Sequence, residues 1–156
     1  LIMELMKTSL CHFFYGGDQE TVENLSANLK KHFPAAHIAG CKAPPMLSLN
    51  DLAGHPVVER DMMEIKKLKP DIIWLGISSP KQDYLAYNYN GMLDHGIFIT
   101  VGGVFDYIAG KSKKSPEWMK KTGVRLLYRL VQEPGRLWPK YYFVFKTFLK
   151  LLFQKP

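Results

Sequence analysis

Residues 70–83 read PDIIWLGISSPKQD. The stretch DIIWLGI (71–77) is an almost continuous apolar run, the pattern of a strand covered on both faces in a parallel sheet rather than of one with a wet side. Six polar or rigid residues, Ser78 to Asp83, follow at once. In open α/β sheets ligands are held outside the carboxyl ends of the strands, so SSPKQD is the first candidate for a binding site. Pro80 suits the first turn of the next helix, where a missing N–H costs nothing, and PKQDYLAYNYNGML (80–93) reads as that helix.

Working outward, GIFITVGG (96–103) is a second strand of the buried kind, ending at Gly102-Gly103, and VFDYIAG (104–110) opens a helical turn. Upstream, SLCHFFYGG (9–17) reads as a buried strand with a tight turn at Gly16-Gly17. Asp18 then caps a helix whose Val22, Leu25, Leu29 and Phe33 recur at helical spacing until Pro34 stops it. AHIAG (36–40) is a short strand, CKAPPMLSLNDLAGHP (41–56) a proline-bearing loop, and VVERDMMEIKKLK (57–69) a helix with Val58, Met62 and Ile65 on one face, broken by Pro70. Strands alternating with helices imply βαβ units with right-handed crossovers. The expected class is α/β, a Rossmann-like parallel sheet with helices on both faces. After Gly110 the alternation gives way to helical patterns alone, so residues 1–110 form the α/β body and residues 111–156 an appended C-terminal helical arm.

With 47% hydrophobic and 22% charged residues, the 156-residue chain belongs with globular proteins carrying one sizeable core. Cys11 and Cys41 form no CxxC, which suggests neither a disulfide framework nor a zinc knuckle and favours a reduced setting. The net charge of +7 is divided unevenly. Residues 1–110 hold nine Lys and Arg against twelve Asp and Glu, a net of −3; residues 111–156 hold twelve against two, a net of +10. An anionic partner therefore belongs to the arm. No stretch has the roughly 20 uninterrupted apolar residues of a spanning helix, so a soluble or peripheral protein is expected.

The two strand ends at Ser78–Asp83 and Gly102–Asp106 carry the candidate chemistry. Gly102 and Gly103 let a backbone approach a ligand closely, while Lys81 and Gln82 offer a cation and an amide to phosphate or sugar oxygens. The plainer alternatives are a tight turn and a solvated lysine. Asp106 is the carboxylate best placed for ligand contact, with a helix cap as its other use; Asp71 reads as a turn residue. No GxGxxG, GxxxxGK[ST], HExxH or GxSxG occurs, which disfavours P-loop, ordinary dinucleotide, zinc-hydrolase and serine-hydrolase chemistry.

In the arm, Arg125 and Arg129 are spaced i, i+4, and Arg136 follows a Glu-Pro-Gly break. YYFVFKTFLKLLF (141–153) is then an apolar, aromatic run interrupted by Lys146 and Lys150. It is too short to span a bilayer and fits a helix lying among headgroups, its lysines on an anionic membrane surface. A core helix or a homo-oligomer contact is the alternative, and nucleic acid is not the expected partner because no binding module is present.

These motifs resemble the WecG/TagA/CpsF glycosyltransferases, bacterial enzymes that add a sugar from a UDP-sugar to a lipid-linked acceptor. The resemblance is carried by PKQ (80–82), GGxFDxxAG (102–110), PxWM (116–119) and YRLxQEPxRLW (128–138), and runs from Phe13 to Tyr142. It implies a Rossmann-like fold and, as in an N-acetylmannosaminyltransferase-like enzyme, inverting transfer of an N-acetylhexosamine or related hexose from a UDP-sugar to a polyprenyl-diphosphate-linked saccharide. That reaction serves cell-surface polysaccharides such as teichoic acid, at the cytoplasmic face of the membrane. By similarity Lys81 and Gln82 sit in the donor pocket, lined by Gly102, Gly103, Phe105 and Asp106, and Arg125, Arg129 and Arg136 meet the acceptor's diphosphate. Metal independence is implied, consistent with the lack of a DxD motif, and no cofactor is expected. Two departures stand out. Asp83 replaces the glutamate that usually follows PKQ, and the resemblance implies an N-terminal segment with a proposed aspartate base that is expected to lie before the residues read here, so none of these residues is nominated as base.

Overall fold

The computed structural model describes residues 1–52 and 54–111, together with Gly135, Trp138, residues 142–144, Lys146, Thr147 and Lys150. The chain divides into two compact units, Leu1–Lys113 and Lys114–Pro156.

In the first unit the order is α1 (Ile2–Leu5), β1 (Cys11–Gly16), α2 (Gln19–His32), β2 (His37–Lys42), α3 (Pro56–Leu68), β3 (Ile72–Gly76), α4 (Lys81–Tyr89), a 3-10 turn (Asn90–Met92), β4 (Ile97–Thr100) and α5 (Val104–Ile108). The four strands form one all-parallel sheet in the order β2-β1-β3-β4. The chain leaves β1 in one direction to make β2 and then returns past β1 to make β3, so the topological switch lies between β1 and β3.

Alternation along the strands splits the core in two. Phe14, Ile72 and Trp74 face α2, α5 and α1, with Leu25, Leu29, Phe105 and Met6. Phe13, Tyr15, Ile73 and Leu75 face α3 and α4, with Val58, Met62, Ile65 and Leu85. Helices therefore cover both faces, the Rossmann-like α/β class read from the sequence. The helix signals act locally: Asp18 accepts the Thr21 N–H at 2.8 Å to cap α2, and Lys69 turns the chain out of α3 in a left-handed conformation, φ 48°.

Four expectations need correction. GIFITVGG is not a buried strand, because β4 is the sheet's edge and Ile97 is 56% exposed. Helix α4 ends at Tyr89 and gives way to the 3-10 turn at Asn90-Gly91, residues that hold a helix poorly. Pro80 is the residue before that helix rather than within its first turn. Asp71 is more than a turn residue: its carboxylate accepts the Cys11 N–H at 2.7 Å and contacts His95 Nε2 at 2.7 Å, clamping the amino ends of β1 and β3 to the segment before β4. The short helix α1 had no expectation attached to it.

His12 is fully buried on β1, where its Nδ1 accepts the Trp74 indole N–H at 3.2 Å and its Nε2 has no hydrogen-bond partner. An indole only donates, so Nδ1 is unprotonated and the ring is neutral. Burial is the largest influence on the ring and lowers its pKa. Below the ordinary histidine value of about 6.5, the unfolded chain takes up a proton that the folded one refuses, so stability should fall by up to about 1.4 kcal/mol per pH unit. Thermal melts at pH 7 and pH 5.5 are expected to show that loss, and His12→Gln, which keeps an acceptor for Trp74 but cannot titrate, to flatten it.

Candidate functional site at the strand ends

The carboxyl ends of β1, β3 and β4 are built from glycine. Gly16 and Gly76 are paired neighbours across the switch point, and the Gly17 N–H reaches the Gly76 carbonyl at 3.2 Å. A Cβ on Gly16 would stand 2.5 Å from the Gly76 carbonyl carbon, and a Cβ on Gly76 would stand 2.5 Å from the Phe105 ring. The strands thus meet more closely here than side chains allow. Backbone rather than side chains therefore stands at the switch point, the place where open α/β sheets have their ligand crevice.

Two helices start at this edge beside the switch. Helix α2 begins behind Asp18 and α4 behind the turn Ser78-Ser79-Pro80, where Ser78 is left-handed at φ 69° and its carbonyl accepts the Gln82 N–H at 3.1 Å. Asp83 lies in the first turn of α4 and accepts the Ser79 hydroxyl at 2.5 Å, so the shorter carboxylate is used in holding that turn.

Of the residues singled out in the sequence, Gln82 and Gly102 are brought into contact: Gln82 is 8% exposed and its Oε1 accepts the Gly102 N–H at 2.8 Å. This bond joins the turn after β3 to the turn after β4, leaving the amide nitrogen as the donor for a further partner. Gly102 adopts φ 59°, a conformation that favours glycine. Gly103 precedes α5 and Asp106 lies in its first turn, half-buried. Phe105 does not line the crevice. Its ring is 1% exposed and packs edge-on against Phe14, beneath Gly76, so it supports the floor from below.

The lysines at this edge differ in what they face. Lys42, at the end of β2, lies 2.8 Å from Asp61 and 2.5 Å from Glu64. Lys111 lies 2.8 Å from both Asp18 and Glu20, and holds the Asp18 carboxyl down to about 2, helped by the Thr21 N–H. Both charges are cancelled by carboxylates. Lys81, at the start of α4, instead donates to the neutral Leu47 carbonyl at 2.5 Å, so its positive charge is not cancelled among the described residues.

The pairing of Lys111 with Asp18, 93 residues away, and with Glu20 escaped the sequence reading; the opposite charges of the α2 start and the arm's beginning were the available signal. Lys146 and Lys150 are exposed and helical. Arg125, Arg129 and Arg136 lie outside the described residues. Among the described residues, no helix is long and apolar enough to cross a membrane, and no three His, Cys, Asp or Glu side chains are grouped to hold a metal ion.

Comparison with known proteins adds a family and relatives. The model of the glycosyl transferase WecG/TagA/CpsF family matches residues 1–156. An N-acetylglucosaminyldiphosphoundecaprenol N-acetyl-β-D-mannosaminyltransferase of Bacillus subtilis (strain 168) is 25% identical over 126 residues, 80% of this chain and 45% of the relative. A protein of the same name from Staphylococcus aureus (strain MW2) is 28% identical over 125 residues, 80% of this chain and 46% of the relative. The chain thus spans about half the length of the curated relatives it matches.

Proposed function

Because this chain belongs to the WecG/TagA/CpsF family of glycosyl transferases, we propose that it contributes the donor half of an enzyme that moves an N-acetylhexosamine from a UDP-sugar to a polyprenyl-diphosphate-linked saccharide. The observation that carries this reading is the Gln82–Gly102 bond, which unites the PKQ and GGxFD motifs at one strand-end crevice. A diphosphate suits that place: the crevice is lined by backbone, lies beside the starts of α2 and α4, and holds the uncancelled charge of Lys81.

In the proposed reaction the acceptor hydroxyl attacks the anomeric carbon from the face opposite the leaving group. The bond to the UDP oxygen breaks with inversion, and the hydroxyl proton passes to a base that we do not assign to this chain. Preorganised positive charge and N–H donors stabilise the departing UDP. The relatives' names place a lipid-linked diphosphate on the acceptor. For such an acceptor the basic arm, with Arg125, Arg129, Arg136, Lys146 and Lys150, is proposed to meet the diphosphate and an anionic membrane surface, at the cytoplasmic face.

Calorimetric titration with UDP, followed by a UDP-release assay with UDP-N-acetylhexosamines and a short lipid-linked acceptor, tests the reading. UDP binding is expected. Turnover would show that a base lies within these residues; binding without turnover would identify a donor-binding half that needs further chain; no binding would sink the donor reading. Gln82→Ala is expected to weaken UDP binding about tenfold, since it frees the Gly102 N–H and loosens the crevice. Gln82→Glu keeps the acceptor for Gly102 yet sets a negative charge beside the diphosphate, so it should bind UDP at least as poorly while melting like the wild type.

A further inference from the structure

The loop between β2 and α3 is fixed at points that sequence separation hides. Leu47 packs against the core on the α3/α4 side and Leu52 is buried in it. The Leu47 carbonyl accepts from Lys81 Nζ at 2.5 Å, and the Gly54 N–H donates to the Tyr89 hydroxyl at 3.2 Å. Both tethers come from α4. Between them and β2 stand Pro44 and Pro45, which restrict the backbone to extended conformations, and Met46, which is 96% exposed.

Strand order gives these tethers a consequence. Lys42 pairs with Tyr15 of β1, at the outer strand of the sheet, whereas Lys81 begins the helix that follows β3, on the far side of β1. Two strand spacings, about 10 Å, separate those positions. Five residues from Lys42 to Leu47 reach about 17 Å at most, so residues 43–47 are long enough to run across. They pass the carboxyl end of β1 on the α3/α4 side and come to rest at the start of α4. The order β2-β1-β3 sets the path of this segment beside the switch point between β1 and β3.

We propose that Lys81 is a positioning residue that acts through this segment: its ammonium fastens the Leu47 carbonyl, and residues 43–47 thereby form a fixed wall of the donor crevice. The inference rests on the donor reading given above for the meaning of the crevice, but the fastening itself does not depend on it. A lysine suits the role because its three donors on a long stem can reach and hold a carbonyl 34 residues away along the chain.

Amide hydrogen exchange across residues 43–52, with calorimetric UDP titration, on wild type, Lys81→Met and Lys81→Arg tests it. In K81M the exchange of this segment is expected to rise about tenfold, the weight of one hydrogen bond from a charged donor, with β1 and β3 unchanged. UDP affinity should fall together with that protection. K81R, which still reaches the carbonyl, should restore both. Unchanged segment protection in K81M overturns the proposal whatever UDP does. Protection restored by K81R without recovery of UDP affinity also overturns it, because Lys81 would then act by touching the donor. Segment loosening in K81M with no UDP binding by the wild type upholds the fastening and sinks the donor reading alone. Lys81→Gln, too short to reach the carbonyl, repeats the test should K81M not fold.

Discussion

Replacing Gly16 by valine is expected to lower the melting temperature by about 10–20 °C or to prevent folding, a cost of about 3–5 kcal/mol. The added Cβ would sit 2.5 Å from the Gly76 carbonyl carbon and 2.7 Å from its Cα, at a φ of +149° that side chains rarely adopt. Its neighbours there are backbone atoms of the adjacent strand, so no rotamer change relieves the overlap. The strands would have to part at the switch point. Gly91→Ala is the control: nothing lies within 4 Å of the added carbon, and a change within about 0.5 kcal/mol is expected. Thermal melts followed by circular dichroism check both, and equal losses in the two variants would remove the steric account.

The second large effect is expected at Asp61, 1% exposed on α3. Its Oδ2 accepts the Tyr15 hydroxyl at 3.1 Å and its Oδ1 lies 2.8 Å from Lys42 Nζ. Burial, and then the Asp61 charge, push the Tyr15 phenol well above its ordinary pKa, so it stays a donor at any working pH. Asp61→Ala would leave that hydroxyl buried without an acceptor and Lys42 with Glu64 alone, at a cost of about 3 kcal/mol. Lys42 is partly exposed and can turn to water, which keeps the loss at the low end of the range for broken buried pairs. Asp61→Asn retains a carbonyl for Tyr15 and should lose about half as much. Urea denaturation of the two variants gives the comparison, and an alanine variant as stable as the wild type would defeat this account. Because Lys42 is the last residue of β2, the alanine variant should also loosen the start of the 43–47 segment.

Asp61 shows where sequence reading stops. Val58, Met62 and Ile65 announce the buried face of α3, and the structure buries all three with Asp61 among them. On that stripe a carboxylate looks like a solvated position, because only the approach of Tyr15 and Lys42 from other elements makes its burial affordable. Gln82 shows the reverse. Its place in a polar run at a strand end marked it as a site residue, but the same run gave no hint that its partner would be the Gly102 N–H.

By itself the sequence determined the four strands, the helices between them and the class, since the apolar runs, helical spacings, caps and breakers that encode them act over a few residues. It also marked the strand ends after β3 and β4 as a candidate place for a ligand, because polar residues following an apolar strand are a local signal. Only the tertiary structure decided the order β2-β1-β3-β4, and with it the consequences of that order. It exposed Ile97 at an edge, buried Phe105 beneath Gly76, and set Asp18 against Lys111 and Leu47 against Lys81. These depend on which strand lies beside which, a choice made by the packing of whole faces against one another and by the handedness of the crossovers, and written in no single stretch of chain.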